Sequence, residues 1–151
     1  MFSGRFYHAV DDKGRVSLPA KFRDVLQHEG HDRLYITNFK EEGEPCLDAY
    51  APSEWEKVVA RFTGKKVGDR ATNLFETYYV GGAHEVQVDK QGRILIPPKL
   101  REYARLTREV TFNSKHNRIQ LWDTPTFDKI LKSAEDLLQD SEFMAKIDIE
   151  F

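Results

Sequence analysis

Only one cysteine, Cys46, occurs in the 151 residues, and no apolar run approaches the length of a membrane-spanning helix. A single thiol cannot form an internal disulfide, and it cannot supply the several thiolates of a cysteine-based zinc site. The first residues also lack the apolar stretch that signal peptides contain. We therefore expect a cytoplasmic protein with no membrane partner, in which Cys46 acts as a small apolar side chain.

The chain also has little net charge, since 23 Lys and Arg against 25 Asp and Glu leave a net charge of -2. A uniformly basic coat for nucleic acid is thereby excluded, because phosphate binding needs concentrated positive charge. The 10 Phe, 6 Tyr and 2 Trp residues nevertheless supply enough apolar side chain for a core. The length suits one compact domain or two very small ones, and any nucleic-acid site on it must be local.

Motifs of the common enzyme classes are missing from the sequence. It contains no G-x-S-x-G, no H-E-x-x-H and no cysteine pair, and Val59 stands where a phosphate loop ending at Gly64 would need its first glycine. His28 and His31 lie three residues apart, but no third ligand of suitable type is close in the sequence. We expect neither enzymatic activity nor a metal or cofactor, and we identify no small-molecule substrate.

The sequence does contain an internal repeat. Residues 10–23 are VDDKGRVSLPAKFR and residues 88–101 are VDKQGRILIPPKLR, with seven of the fourteen positions identical. Weaker similarity continues downstream, so that each copy spans about fifty residues. We predict a first repeat at 5–52, connecting helices at 53–82, a second repeat at 83–125, and a C-terminal helix with an acidic tail at 126–151.

Each copy predicts a strand, a tight turn and a second strand, followed by a short helix. The strand-like residues 6–10 and 85–88 precede an Asp-x-x-Gly turn, which is typical of a β-hairpin. Pro19 and Pro97 then end the second strand and begin a helix. The spacing of Ser53 and Glu56 predicts a capping box at the start of a longer helix. Further strands are predicted at 34–38, 46–51, 110–113 and 118–122, helices at 20–27, 71–79 and 99–106, and a linker at 64–68.

The turns at residues 11–15 and 89–93 are the main candidate for a binding site. The aspartate can accept hydrogen bonds from turn amides and the glycine can adopt a positive φ, which would hold the following arginine in a direction suited to phosphate or guanine. The alternative is that aspartate and arginine pair only to stabilise the turn, an arrangement that contributes little at a surface. The duplication of the turn favours the binding interpretation.

Basic residues concentrate around these turns. Residues 90–108 contain six basic side chains against Glu102, and residues 13–23 contain four against none. The acidic tail, which we expect to be solvated, offsets this charge in the total, so the net value hides an electropositive face. For Arg101, Arg105 and Arg108 we expect only solvation of the outer face of a helix.

Taken together, these motifs resemble those of the bacterial MraZ family. The opening Met1-Phe2-x-Gly4, the paired Asp-x-x-x-Arg motifs, the Pro-x-Lys-x-Arg continuations and the Leu-Trp-Asp at 121–123 carry the resemblance. It implies an α+β fold, mostly β, of two tandem AbrB-like repeats (swapped-hairpin or double-split β-barrel) in one compact pseudo-symmetric unit with flanking helices. It also implies a sequence-specific DNA-binding transcriptional regulator, expected to be a repressor. Such a regulator binds short direct repeats upstream of the division and cell-wall gene cluster, including its own gene.

The resemblance further implies double-stranded DNA and a ring-shaped homo-oligomer as partners, and a nucleoid-associated location. The helix between the copies carries Asn73, Glu76 and Thr77 rather than the basic residues of many relatives, so we expect it to serve in packing or subunit contact. An AbrB-like protein-interaction module, such as the antidote half of a toxin pair, is the alternative, although the doubled copy and short tail disfavour it. The resemblance assigns DNA contact to Arg15, Arg93, Lys13, Lys90 and, more weakly, Arg5, and turn bracing to Asp11, Gly14, Asp89 and Gly92.

Overall fold

The structure, a computed structural model, describes residues 2–63 and 69–150, so the linker predicted at 64–68 lies outside the described residues. The described residues form eight strands and six helices, which confirms the predicted α+β class with more strands than helices. None of these helices has the length and apolar character that crossing a membrane requires. The strands are β1 (Arg5–Ala9), β2 (Arg15–Ser17), β3 (Arg33–Glu41), β4 (Glu44–Tyr50), β5 (His84–Gln87), β6 (Arg93–Leu95), β7 (Glu109–Lys115) and β8 (Arg118–Asp123). The helices are α1 (Ala20–His28), α2 (Pro52–Ala60), α3 (Arg70–Tyr79), α4 (Pro98–Tyr103), α5 (Thr124–Leu137) and α6 (Ser141–Met144).

Six of the strands form one antiparallel sheet in the order β1-β7-β8-β4-β3-β5, and β2 pairs with β6 in a separate two-stranded ribbon. In the sheet, β1 of the first repeat pairs with β7 of the second, and β5 of the second pairs with β3 of the first. The strands β4 and β8 join the two halves at the centre, with Asp48 opposite Gln120. The two repeats therefore exchange strands about a pseudo-two-fold axis.

The predicted β-hairpins are wrong, because the strand that follows each turn pairs with the other repeat. Within the described residues β1 makes no ladder with β2, and the second copy retains only the isolated bridge between Val88 and Ile94. The turn itself forms, since the Asp11 amide donates to the Arg15 carbonyl at 2.8 Å. The turn residues set this local geometry. The partner of the strand that follows depends instead on which pairing buries its apolar face, and here Val16 pairs with Ile94 of the other repeat.

The ribbon and the two short helices α1 and α4 cover one face of the sheet and enclose the main core. Phe22 of α1, Leu100 of α4 and the paired Val16 and Ile94 of the ribbon are buried there. They meet alternate residues of the sheet strands, as the two-residue period of a strand requires. The sheet contributes Leu34, Ile36, Leu47, Ala49, Val86, Val110, Phe112, Ile119 and Leu121 to this core.

The opposite face of the sheet is covered by α2 and α3 over the first repeat and by α5 over the second. Trp55 of α2 packs against Tyr35 and Tyr50, with ring centroids 5.8 and 5.3 Å apart. In the second repeat Phe127 of α5 packs against Trp122 at 6.0 Å. Helix α6 and the end of α5 lie in the predicted acidic tail, whose side chains are mostly exposed as expected.

The start of α2 differs from the predicted capping box. Pro52 is the first residue of the helix and Ala51 precedes it as the N-cap residue. A proline suits this position because its φ is already helical and it has no amide hydrogen to satisfy. Ser53 consequently lies inside the helix, where its hydroxyl donates to Glu29 Oε2 at 2.9 Å instead of accepting from an amide of its own helix.

A buried carboxylate ties α3 to the centre of the sheet. Asp48 is fully buried, with Oδ2 lying 3.2 Å from Arg118 Nε. The Tyr79 hydroxyl donates to the same carboxylate and lies 2.6 Å from the Tyr50 hydroxyl. Burial raises the pKa of Asp48, and the neighbouring Arg118 opposes that rise. The ion pair with Arg118 therefore favours the charged form of Asp48 against the effect of burial.

Replacing Arg118 by Met should leave Asp48 buried without its cation and lower the free energy of unfolding by about 3 kcal/mol at pH 7. Arg118 opposes the rise in the pKa of Asp48 that burial causes, so its removal raises that pKa further and the folded variant gains more stability from protonation than the intact protein does. The deficit should therefore shrink as the pH falls from 7 towards 4. Urea unfolding at several pH values measures both effects.

As a control, Lys57→Met removes the exposed Lys57–Glu54 pair at 3.1 Å and should change stability by less than about 1 kcal/mol. A pH-independent deficit in the Arg118 variant would contradict this account.

Candidate nucleic-acid interface

In turn one (residues 11–15), a single carboxylate organises both the backbone and the arginine. Asp11 Oδ1 accepts hydrogen bonds from the amides of Lys13 and Arg15, both at 2.9 Å. Asp11 Oδ2 accepts a further bond from Arg15 Nε at 2.7 Å. This last bond uses the inner nitrogen of the guanidinium, so the two terminal amino groups, with four of its five N–H donors, remain for a ligand.

Turn two (residues 89–93) repeats this geometry. Asp89 Oδ1 accepts hydrogen bonds from the amides of Gln91 at 2.8 Å and Arg93 at 2.9 Å, and Oδ2 accepts one from Arg93 Nε at 3.0 Å. The side chains of Arg15 and Arg93 are 32% and 29% exposed, so both reach the surface. Each turn therefore presents one arginine whose direction is set by the aspartate four residues earlier.

The glycine of each turn is favoured by its backbone conformation, and each lies in close contact with an arginine side chain. Gly14 and Gly92 adopt φ values of 86° and 77°, in the region that favours glycine. A β-carbon on Gly14 would lie 2.7 Å from Arg101 Nη1, and one on Gly92 would lie 2.4 Å from Arg23 Cδ. Each turn thus lies against an arginine from the helix of the other repeat.

These contacts correct one expectation and add two residues to the site. Arg101 is half-buried against turn one, so its predicted role as mere solvation of the outer face of α4 is wrong. Arg105 and Arg108 are exposed, as expected, but both follow the end of α4 at Tyr103 instead of lying on the face of a helix. Arg23, which we did not single out, occupies the equivalent place at turn two. The repeated Pro-x-Lys-x-Arg motif was the available signal, because it places an arginine at the same position of both short helices.

The two turns lie at the two ends of the β2–β6 ribbon. Reciprocal hydrogen bonds of 3.0 Å, from the Leu18 amide to the Gly92 carbonyl and from the Ile96 amide to the Gly14 carbonyl, hold each turn to the other repeat. Residue 15 pairs with residue 95, and residue 17 with residue 93. Arg15 and the arginine of turn two are therefore diagonal neighbours on one face, with Cα atoms about 7–8 Å apart.

The other candidate residues are less closely grouped. Lys13 and Lys90 are exposed within their turns, but they occupy different places, since Lys13 corresponds to Gln91 of the second copy. Arg5 begins β1, six residues before Asp11, and so lies about 20 Å along the extended chain from turn one. Its guanidinium lies over the Phe127 ring, 5.6 Å from the centroid. The structure therefore brings the lysines, but not Arg5, to the turns.

The hydrogen bonds of the turns also shift the acidity of their aspartates. The Arg15 amide, followed by the Arg15 guanidinium and the Lys13 amide, lowers the pKa of Asp11 from 3.8 to about 2. The Arg93 amide is the largest cause of the lowered pKa of Asp89. Both carboxylates are consequently ionised at neutral pH, and each stays available to hold its arginine.

The pKa of Asp11 offers a direct test of what holds turn one. A titration followed by the carboxyl carbon resonance of Asp11 should give a midpoint near pH 2. Because that pKa is lowered on folding, the stability that Asp11 contributes is present above pH 3.8 and is lost as the pH falls towards 2. In Arg15→Ala the backbone amides still donate, so the midpoint should rise only part of the way to 3.8. A full return to 3.8 would show that the side chain of Arg15, and not the amides, forms the turn.

Comparison with known proteins places this geometry in a family. The family model described as "MraZ protein, putative antitoxin-like" matches residues 1–76 and 79–147. A solution structure of a Pyrococcus horikoshii protein, PHS018, covers 78% of this chain and 84% of its own at 18% identity, but its TM-score of 0.35 is too low to support any inference.

Three curated relatives are each named "Transcriptional regulator MraZ". The protein from Syntrophobacter fumaroxidans is 41% identical over 95% of this chain and 94% of its own length. The protein from Halothermothrix orenii is 38% identical over 90% of both chains. The protein from Acetivibrio thermocellus is 40% identical over 82% of this chain and 81% of its own. Since the family model and these relatives match most of the chain, this protein belongs to the MraZ family.

Proposed function

We propose that this protein regulates transcription by sequence-specific binding of double-stranded DNA through the face of the β2–β6 ribbon that carries Arg15 and Arg93. The observation that carries the proposal is the pair of arginines, each held at Nε by an aspartate and placed by the ribbon register as diagonal neighbours on one face. A two-stranded ribbon fits the major groove, and the terminal amino groups of arginine donate to guanine O6 and N7. The names of the curated relatives support a regulatory role.

In this proposal the residues divide into those that recognise bases and those that bind the backbone. Arg15 and Arg93 contact guanine, while the aspartates and glycines of the two turns fix their direction. The exposed Lys13 and Lys90 contact phosphate, which positions the protein without recognising sequence. Arg5, at the far end of β1, would reach DNA only beyond the edge of this face.

The chain also has apolar surface suited to self-association. Leu74 and Phe75 on α3 are 55% and 43% exposed, and a second group of exposed apolar residues follows in α5, α6 and the tail. The two groups lie on different helices, since α3 packs around Tyr50 and Trp55 and α5 packs around Trp122. Two different surfaces on one protomer can form the head-to-tail contacts that close a ring. The second group comprises Leu137, Leu138, Met144 and Ile149.

A ring would present the same ribbon at regular intervals along DNA. Several protomers could then bind direct repeats spaced by about one helical turn, roughly 10 bp. Each contact can be weak, because linked sites raise the overall affinity without new interactions. Occupancy of such repeats upstream of the division and cell-wall gene cluster, including this protein's own gene, would exclude polymerase and repress transcription at the nucleoid.

Binding is tested by fluorescence anisotropy with duplexes tiled across the region upstream of the protein's own gene, against scrambled duplexes of equal length. The intact protein should bind one or more tiles tightly, with the logarithm of affinity falling steeply against the logarithm of salt. Arg15→Ala and Arg93→Ala should each weaken binding to those tiles by about tenfold or more. Lys57→Ala, which removes an exposed cation of α2 on the opposite face of the sheet from the ribbon, is the control and should have a small effect.

Two outcomes would contradict the proposal. Equal weak binding to native and scrambled duplexes, or none, would favour the protein-interaction module, with which the antitoxin-like description of the family is consistent. Loss of the assembled state in Arg15→Ala, measured by light scattering, would assign Arg15 a structural role instead of DNA contact.

Self-association is tested by Leu74→Asp, which places a charge in the exposed apolar group on α3. Light scattering after size-exclusion chromatography should show a multimer for the intact protein and a shift towards the 17.6 kDa chain for the variant. Gln27→Asp adds the same charge at an exposed position of α1 and should leave the multimer unchanged. An unchanged mass for Leu74→Asp would show that α3 is no subunit contact.

A further inference from the structure

The outward face of the ribbon is symmetric except at one pair of positions. The register places Arg15 opposite Leu95 and Ser17 opposite Arg93, while Val16 and Ile94 between them face the core. The repeat offset of 78 residues, which relates Gly14 to Gly92, relates Arg15 to Arg93 but Ser17 to Leu95. One end of the ribbon therefore combines an arginine with a leucine, and the other combines an arginine with a serine.

Leu95 is an exposed leucine whose presence at this position is not explained by packing in the core. Leu95 is 55% exposed, whereas its neighbours Ile94 and Ile96 are buried in the core. Its Cδ1 lies 3.6 Å from the position that a β-carbon on Gly14 would occupy, beside Arg101 Nη1. The leucine thus lies at the base of turn one, among cationic groups and directly across the ribbon from Arg15.

We propose that Leu95 is a specificity-determining residue that contacts the C5-methyl group of a thymine next to the base bound by Arg15. This inference rests on the proposed function and deepens it. Thymine is the standard base that presents a methyl group in the major groove, and apolar side chains recognise it there. Cross-strand partners lie about 5 Å apart, so the leucine and the arginine reach adjacent base pairs. Ser17 offers a hydrogen-bonding hydroxyl at the other end.

The charge around Leu95 favours DNA as its occupant over a second copy of the chain. Arg15, Arg101 and Lys13 all lie at this end of the ribbon. Arg15 is paired with Asp11, but an apolar protein surface placed here would desolvate Arg101 and Lys13 without supplying an anion, whereas DNA supplies phosphates for these cations and a methyl group for the leucine. The pseudo-symmetric face would then bind an asymmetric site in one orientation, as direct repeats require.

The experiment replaces each thymine of the tightest-binding upstream tile, one at a time, by deoxyuridine, which removes only the methyl group. Anisotropy titrations compare the intact protein with Leu95→Ala and Leu95→Ser. For the intact protein at least one replacement should weaken binding by about fourfold, the effect of burying one methyl-sized group. Both variants should bind the unmodified tile more weakly and should no longer distinguish thymine from deoxyuridine at that position. Val59→Ala, which truncates an exposed apolar residue of α2, should retain the distinction.

The outcomes separate this inference from the proposed function. Absence of any tile bound more tightly than its scrambled control overturns both. Specific binding in which no deoxyuridine replacement matters, or in which it matters equally in the intact protein and in Leu95→Ala, overturns the inference alone. A changed multimer mass in both Leu95 variants also overturns it, because the leucine would then be a subunit contact.

Discussion

The exchange of strands between the two repeats is the constraint on which the rest of this structure depends. Because β1 completes the half-sheet of the second repeat and β5 that of the first, each repeat needs the other to bury its apolar residues. The same exchange joins β2 to β6 and places the two turns at the ends of one ribbon. The stability of the fold and the geometry of the proposed DNA surface therefore depend on the same backbone pairing.

The pseudo-two-fold axis also explains where the two copies had to diverge. Asp48 and Gln120 are equivalent positions that face each other across the central pair of strands, and both are fully buried. Two carboxylates in that place could not both be ionised, because like charges in a buried site raise one pKa strongly. One copy has an amide there, and the single carboxylate is balanced by Arg118 and bound by Tyr79 of α3. The difference between the copies thus gives α3 its attachment.

Local signals predicted the repeats, the two turns and most helices, because proline, glycine and aspartate act on their own neighbours. They failed for strand partners, since the turn at Asp11 has the same chemistry whether the next strand pairs with β1 or with β6. They failed at Ser53 because the preceding Pro52 begins the helix first. Local signals also failed to predict the position of Arg101. Helical periodicity shows that a residue faces outward, but it does not show that the turn of the other repeat lies against that residue.

The proposed interface separates affinity from specificity through the way its cations are held. Arg15 and Arg93 are partly neutralised by their aspartates, so they attract phosphate less than a free cation would, and their fixed planes favour the paired acceptors of guanine. Lys13 and Lys90 are exposed point charges on flexible stems, which suits phosphate contact of any sequence. The bonds to Asp11 and Asp89 already restrict the two arginine side chains in the free protein. DNA binding therefore costs little further side-chain conformational entropy at these residues. Lysine in place of either arginine would keep the charge but lose the planar fork and its fixed direction, and with them the discrimination between bases.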